Sequence, residues 1–252
     1  MLGGLHPVIG RIGGKSRLKK KIIEMFPDKY EYMTYVEPFV GGGSVFFYKN
    51  KSKKEIINDL DNNVISIYKG FKKYNHEIIF NALNKYKKNK ETFDYLKYDY
   101  KPKTEFNKFI RLYYLFKNAF FGDINRGFSK PLTKNFNKKR MEGFHERLHD
   151  TLILNKDYKD VIKKYDSKNT LFYLDPPYEN SKGLYNFHHL PISDVYDLLK
   201  NIKGYFLLSY NDSDDAKELF KNYNIRKVKT KYTDPIKGGS IRIKTELLIS
   251  NY

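Results

Sequence analysis

Thr34-Tyr35-Val36-Glu37-Pro38-Phe39-Val40-Gly41-Gly42-Gly43-Ser44 is the stretch from which the fold can be read. Residues 34–39 predict a buried strand, and the glycine run after it lets the chain turn sharply and bring backbone close to a ligand. A short helix is expected from Ser44. Residues 55–59, Glu-Ile-Ile-Asn-Asp, predict a second short strand ending in acid residues. Two strands joined by a helix imply a parallel sheet with ligand chemistry at its strand ends. Upstream, Leu18, Ile22, Met25 and Phe26 recur at helical spacing with Lys19, Lys20, Lys21 and Glu24 between them. Residues 15–26 therefore predict an amphipathic helix stopped by Pro27.

Beyond residue 63 the text changes. To about residue 150 it is lysine-rich and mostly helical, most strongly over 106–116. Residues 118–131 hold Gly122, Gly127 and Pro131 among polar residues and predict a loop or hairpin. Strands are expected again at 151–154, 170–175, 204–209, 225–229 and 245–250, with a helix over 194–202 capped by Ser193. The simplest architecture is one α/β domain interrupted by a basic helical insertion.

The chain has 252 residues, 17% of them aromatic and 31% charged, which excludes a disordered tail or a collagen-like fibre. With no cysteine, a disulfide framework, a thiolate zinc site and a cysteine nucleophile are excluded. No apolar run reaches the ~18 residues of a membrane span, and residues 1–10 carry no signal-peptide pattern. A soluble, intracellular, cytoplasmic protein is expected. The net charge is +19, and 40 of the 48 basic residues are lysine. AT-rich coding also yields such a profile, so distribution matters more than the total. Residues 65–147 hold 20 Lys and Arg against 8 Asp and Glu, interleaved with Tyr113, Tyr114, Phe116, Phe120, Phe121 and Phe128. Cations for phosphates beside flat rings for bases suit a nucleic-acid surface.

Asp175-Pro176-Pro177-Tyr178 follows the apolar run 171–174. Two prolines remove two N–H donors and fix φ, leaving carbonyls as acceptors. A carboxylate beside such a carbonyl suits an NH₂ group, and Tyr178 offers a face to a planar ring. Together they describe a site for an exocyclic amine on an aromatic base; the same four residues also suit a turn with an N-cap aspartate. The glycine run is not G-x-G-x-x-G, so the dinucleotide fingerprint is not met. Asp59, at the end of the next strand, fits a ribose hydroxyl partner or, with Asp61, a turn acid. Gly13-Gly14-Lys15-Ser16 is not a P-loop, because Ile9 stands where the first glycine belongs. The six histidines show no metal spacing, His188-His189 read as loop residues, and no metal is expected.

Four motifs occur in order: Gly10-Arg11-Ile12-Gly13-Gly14-Lys15, Val36 to Ser44, Asn58-Asp59 and Asp175-Pro176-Pro177-Tyr178, before the closing Thr245-Glu246-Leu247-Leu248-Ile249-Ser250-Asn251-Tyr252. Over essentially its whole length the chain resembles the Dam-like (alpha group, D12 class) DNA adenine N6-methyltransferases. The resemblance implies a Rossmann-like α/β methyltransferase fold that uses S-adenosylmethionine (AdoMet), with a mixed, mostly parallel seven-stranded sheet. It implies a catalytic domain of residues 1–64 and 148–252, and a helical target-recognition insertion of 65–147 with a hairpin near 118–131. Arg11, Gly13, Gly14 and Lys15 would line the AdoMet site; Glu37, Pro38, Phe39, Gly41, Gly42 and Ser44 would hold the methionine part. Asp59 would bind the ribose, and Asp157 and Tyr158 would flank the cofactor adenine. Asp175, Pro176 and Pro177 would present acceptors to the target N6 amine, with Asp175 also beside the cofactor, and Tyr178 would stack on the flipped base. Asn118, Phe120, Phe121, Asn125, Arg126 and Lys130 would contact DNA, with Phe120 or Phe121 suited to wedge into the duplex.

Two departures stand out. Gly10-Arg11 replaces the family's Lys-Trp type of pair. Gly122-Asp123 stands where Dam-like proteins carry a guanine-reading arginine, and aspartate does not suit a guanine edge, so GATC recognition is not implied. The expected activity is site-specific methylation of adenine N6 in duplex DNA by a monomer. The alternatives are an N4-cytosine DNA methyltransferase, since Asp-Pro-Pro-Tyr suits either amine, and a non-catalytic nucleic-acid-binding protein that keeps the fold. RNA and protein glutamine are more distant substrates.

Overall fold

A computed structural model describes residues 4–11, 13–129, 135–178, 190–233 and 241–252. In chain order the elements are α1 (Lys19–Ile23), β1 (Thr34–Glu37), β2 (Lys54–Asn58), α2 (Asn62–Lys73), α3 (His76–Asn84), α4 (Lys90–Asp94), α5 (Glu105–Asn118) and α6 (Lys138–Leu148). They continue with β3 (Leu152–Leu154), α7 (Tyr158–Tyr165), β4 (Thr170–Leu174), α8 (Ile192–Leu199), β5 (Tyr205–Asn211), α9 (Asp214–Leu219), β6 (Asn224–Thr233) and β7 (Ile241–Ser250). The chain packs as two compact units that exchange segments. One is helical and holds Met1–Ser16, Gly41–Lys49 and Asp61–Ile153. The other carries the sheet and holds Arg17–Val40, Asn50–Leu60 and Leu154–Tyr252. The N-terminal motif and the glycine run thus pack with the helices rather than with the strands beside them in sequence.

The seven strands run in the order β3-β2-β1-β4-β5-β7-β6. β1 pairs in parallel with β2 and β4, and β4 with β5. β7 lies antiparallel between β5 and β6. This is the mixed, mostly parallel seven-stranded sheet expected. Central strands covered on both faces read as continuous apolar runs, and all five residues of β4 are buried. One face buries Val36, Ile56, Phe172, Leu174, Phe206 and Leu208 against Val161 and Ile162 of α7, Val195 and Leu199 of α8, and Ala216 and Phe220.

The helical unit packs around rings. Phe71 of α2 lies 5.1 Å from Phe109, 4.8 Å from Tyr113 and 5.2 Å from Phe144, each edge to face, the geometry aromatic quadrupoles favour. Phe47, just past the glycine run, joins at 5.0 Å from Phe144. Arg147 of α6, 1% exposed, lies over the Phe46 ring at 4.1 Å and donates to the Phe46 carbonyl at 3.0 Å. α6 therefore fixes the segment that carries the glycine run.

Several expectations require correction. The helix over 15–26 is broken into a 3₁₀ turn (Lys15–Arg17) and the five-residue α1, because Leu18 offers no side-chain cap and Met25 and Phe26 tighten to i→i−3 bonds before Pro27. No helix forms from Ser44: Phe47 and Lys49 donate back to Gly43 and Val45 in turns that do not propagate. α8 starts at Ile192 with Pro191, not Ser193, at its N-cap, and no side chain caps it. α7 was not expected: Asp157 caps it, accepting from the Lys159 N–H at 2.8 Å, and Tyr158 is its first residue. α9 was not expected, and β6 and β7 are ten residues each, longer than their apolar text.

Phe71→Ala removes the ring at the centre of the helical core. It is expected to destabilise the protein by about 3–5 kcal/mol, read as a lower urea midpoint.

Candidate active site

The parallel register brings chemistry to one edge of the sheet. Thr34 pairs with both Lys54 and Thr170, so β1, β2 and β4 reach their carboxyl ends at nearly the same level. There stand Glu37, Asn58-Asp59 and Asp175.

Glu37 is 2% exposed, and its Oε2 accepts from the Tyr35 hydroxyl at 2.6 Å. Burial, and then the Glu37 charge, push the Tyr35 hydroxyl well above its ordinary range, so it remains a donor. Asn58 is buried and fully employed. Its Nδ2 donates to the Pro38 and Lys156 carbonyls at 3.0 Å each, and its Oδ1 accepts from the Lys156 N–H at 2.9 Å. Asn155 donates to the Asp59 and Leu60 carbonyls at 2.8 and 3.1 Å. These two amides tie the end of β1, the end of β2 and the run into α7 into one cluster of backbone. Phe39 joins it, its ring 5.1 Å from that of Tyr158.

Asp175 follows β4 directly. The Ser209 hydroxyl on β5, fully buried, lies 3.1 Å from Asp175 Oδ1 and 3.1 Å from the Tyr173 hydroxyl. A buried tyrosine hydroxyl that donates to Ser209 frees the Ser209 proton for the carboxylate, which can only accept. Pro176 and Pro177 follow, and Tyr178 turns back on the sheet. Its ring meets Tyr210 at 5.0 Å and 60°, and its hydroxyl donates to buried Glu246 at 3.4 Å.

In the helical unit the glycine run is built on close backbone approach. Gly41 and Gly43 have φ of +48° and +72°. A Cβ on Gly42 would lie 2.4 Å from the Ile9 carbonyl oxygen. The Val8 N–H donates to the Gly42 carbonyl at 3.0 Å and the Tyr68 hydroxyl to that of Gly41 at 3.0 Å. Lys15 is buried and donates to the Gly13 carbonyl at 3.0 Å; the Ser16 and Ser44 hydroxyls meet at 3.0 Å. A Cβ on Gly14 would lie 3.1 Å from the Arg11 carbonyl, so this turn is also tight. Arg11 pairs with Asp61 and lies 5.7 Å over the Phe116 ring. Asp61 is thus a partner of Arg11 and, through Asn63 N–H, the cap of α2.

The segment 118–129 closes as a hairpin. Phe120 and Ser129 N–H groups donate to the Gly127 and Asn118 carbonyls at 3.0 and 2.8 Å. Phe120 and Phe121 are 40% and 38% exposed, edge to face at 4.6 Å, and Phe121 has φ +54°. Gly122 abuts Gly10, whose carbonyl oxygen would lie 2.0 Å from an added Cβ. Asp123 accepts from Asn125 N–H at 3.0 Å and Arg126 Nε at 3.2 Å, so it shapes the turn and holds Arg126. Asn118 is 2% exposed and donates to the Tyr114 carbonyl at 2.8 Å. It braces the hairpin, its side chain on Tyr114 and its carbonyl on Ser129. Lys130, His188 and His189 lie outside the described residues, as does Ile12. Among the described residues no cluster of metal-ligating side chains occurs, and no helix is long and apolar enough to cross a membrane.

Ser209, Tyr173, Glu246, Tyr210, Asn155 and the positioning role of Asn58 were not expected from sequence. Only the strand pairings place Ser209 beside Asp175, although both fall at the ends of apolar runs.

The acids at these strand ends fall within the stretch that matches a methyltransferase family. Residues 12–233 match the D12 class N6 adenine-specific DNA methyltransferases, and the chain belongs to that family. It is 25% identical to the type II methyltransferase M.CviBI of Paramecium bursaria Chlorella virus NC1A, over 98% of this chain and 100% of that one. It is also 25% identical to the type II methyltransferase M1.LlaDCHI of Lactococcus lactis subsp. cremoris, over 98% and 96%. Among solved structures, the precorrin-6y C5,15-methyltransferase of Geobacter metallireducens covers 98% of both chains at 9% identity and a TM-score of 0.44.

Gly42→Ala forces Cβ against the Ile9 carbonyl. A loss of about 2 kcal/mol is expected, seen as a Tm lower by about 4 °C.

Proposed function

We propose that this DNA adenine methyltransferase takes its methyl group from AdoMet and delivers it to the N6 of an adenine flipped out of duplex DNA, acting as an intracellular monomer. The carrying observation is the Asp175 carboxylate at the end of β4, braced by Ser209 and followed by two prolines and Tyr178. The residues fit the donor. Glu37 and Asp59 are acceptors of the kind an amino group and ribose hydroxyls need, and the glycine run brings backbone where a side chain would intrude. When bound, AdoMet supplies an electrophilic methyl group on a sulfonium.

The chain's own residues do the rest. The glycine run, Glu37, Pro38, Phe39 and Ser44 hold the methionine portion, and Asp59 takes the ribose. Asp157 and Tyr158 flank the adenine, while Arg11, Gly13, Gly14 and Lys15 complete the site. A base inside a duplex cannot reach such a site and must leave the stack, at a cost of a few kcal/mol. Phe120 and Phe121, exposed at the hairpin turn, suit the gap it leaves, and Asn125, Arg126 and Lys130 contact the DNA. Asp175 and the Pro176 carbonyl accept the two N6 hydrogens. This draws the nitrogen lone pair out of conjugation with the ring and toward the methyl group. Tyr178, held by Tyr210 and Glu246, stacks on the base. Positioning and fixed acceptors, rather than a strong base, supply the rate. Residues 65–147 supply target recognition, and 1–64 with 148–252 supply catalysis.

The test incubates the purified protein with AdoMet and unmethylated genomic DNA, then maps modified bases by single-molecule sequencing. N6-methyladenine in one short motif is expected; N4-methylcytosine, or no modified base, overturns the reading. Asp175→Ala is expected to lower kcat by about 10³-fold or more with little change in Tm. Ser209→Ala is expected to lower kcat about 10-fold with KM for DNA unchanged. Ser209→Thr, which keeps the hydroxyl, should recover most of that loss.

A further inference from the structure

Asp175 and the Pro176 carbonyl suit an amino group, and adenine and cytosine both carry one beside a ring nitrogen. With the amino group and that nitrogen superposed, the two bases differ at the next ring position. Adenine presents a C2–H there, and cytosine a C2 carbonyl. A residue that tells them apart by this difference meets the base at that edge.

In the sheet unit, β5 carries a candidate. β4 and β5 run parallel with Leu174 beside Leu208, so Asp175 comes beside Ser209, 3.1 Å from its hydroxyl. Asn211 ends β5. It lies two positions past Ser209, hence on the same face and roughly 6.7 Å farther along. β7 flanks β5 on the other side and sets Glu246 directly opposite Asn211. Glu246 in turn takes the Tyr178 hydroxyl at 3.4 Å. Asn211 thus stands on the strand between the carboxylate placed for the amine and the carboxylate that holds the stacking ring. Tyr210, the residue before it, packs on the opposite face against Tyr178. Asp212, the residue after it, is paired with Lys217 at 2.7 Å and Lys227 at 3.6 Å. The chain is therefore fixed on either side of Asn211.

The Asn211 amide is fixed in place yet not fully used. Its Oδ1 is buried and has no hydrogen-bond partner among the described residues. Buried acceptors are as a rule paired, and one left alone is costly, so a reason for it is to be sought in what binds there. The group that suits this oxygen is not a strong donor, because Asp175 and Pro176 take the amino hydrogens. It is a polarised C–H, which a carbonyl oxygen accepts weakly. A carbonyl brought to the same place would set acceptor against acceptor with water excluded.

We propose that Asn211 separates adenine from cytosine: its Oδ1 faces the C2 edge of the flipped base, admits the C2–H of adenine and rejects the C2 carbonyl of cytosine. This rests on the adenine-methyltransferase reading above and adds to it the choice of base. The choice is made by repelling the wrong base rather than by attracting the right one. Asn211 stays clear of N6 and of the methyl group, so it selects without reacting.

The test uses the full chain, AdoMet and two duplexes of the mapped motif that carry adenine or cytosine at the target position. Each target stands opposite an abasic site, so that pairing adds nothing to the cost of flipping. Single-turnover methyl transfer is measured on both, and the ratio of the two rates is read, so that a loss common to both drops out. The wild type is expected to favour adenine. Asn211→Ala is expected to lower the adenine-to-cytosine ratio by about 10-fold or more. Asn211→Ser, whose hydroxyl is too short to reach the base edge, is the second variant and should lower it likewise. Asn211→Asp keeps an oxygen at this place and should keep the preference. An unchanged ratio in both Asn211→Ala and Asn211→Ser overturns the proposal, and cytosine transfer that stays below detection in both counts as unchanged. A ratio that falls as far in Asn211→Asp overturns it too. A wild type that methylates no adenine overturns the parent reading and this one with it; a wild type that does so leaves the parent reading standing whatever the variants do.

Discussion

Three parallel strands starting in register are the constraint on which the sheet unit depends. Because Thr34 faces Lys54 on one side and Thr170 on the other, Glu37, Asn58 and Asp175 arrive at one rim. A slip of one residue would turn Glu37 away and bring an apolar neighbour in its place, since side chains alternate across a strand. The register is held by burial on both faces: Val36, Ile56 and Phe172 are each fully enclosed. The polar rim is thus a product of the apolar interior beneath it.

Polar groups at that rim are held by others. Asn58 uses its whole amide on backbone, Tyr35 holds Glu37, and Ser209 with Tyr173 holds Asp175. A partly buried acceptor left without such support would lose its orientation or its charge. The pattern is one hydroxyl for each carboxylate, from the adjacent position on the same face or from the adjacent strand. These carboxylates are in this way held in place by the fold itself.

Most of the fold was legible because its strands are short apolar runs ending in glycine, proline or acid. The strands β1, β2 and β4 and the helix α5 lie within a residue or two of where that pattern puts them. The misses have physical causes. Residues 15–26 have helical spacing but no cap, so spacing alone overstated the helix. α7 and α9 are short and carried mainly by Asp157 and Ser213 caps, a weak signal beside their mixed composition. Of the candidate site, Glu37, Asp59, Asp175 and Tyr178 could be picked out from motifs. Ser209 and Glu246 were not, because each comes to the rim through a strand pairing 34 or 68 residues distant. Asp61 was read as a turn acid, and its tie to Arg11 spans 50 residues.

The position of β7 between β5 and β6 has a consequence for how the molecule comes into being. β6 leaves the ribosome before the strand it pairs with, and until β7 follows, β5 presents an open edge with Leu207 and Leu208 upon it. The two units interleave as well, the chain crossing from helical to sheet segments at residues 16, 40, 49, 60 and 153. The helical unit has all its residues by Ile153, whereas the sheet unit cannot close before β7 is made. The nascent sheet is therefore left open at β5 until β7 is made, and the interval in which its apolar edge needs shelter is set by translation.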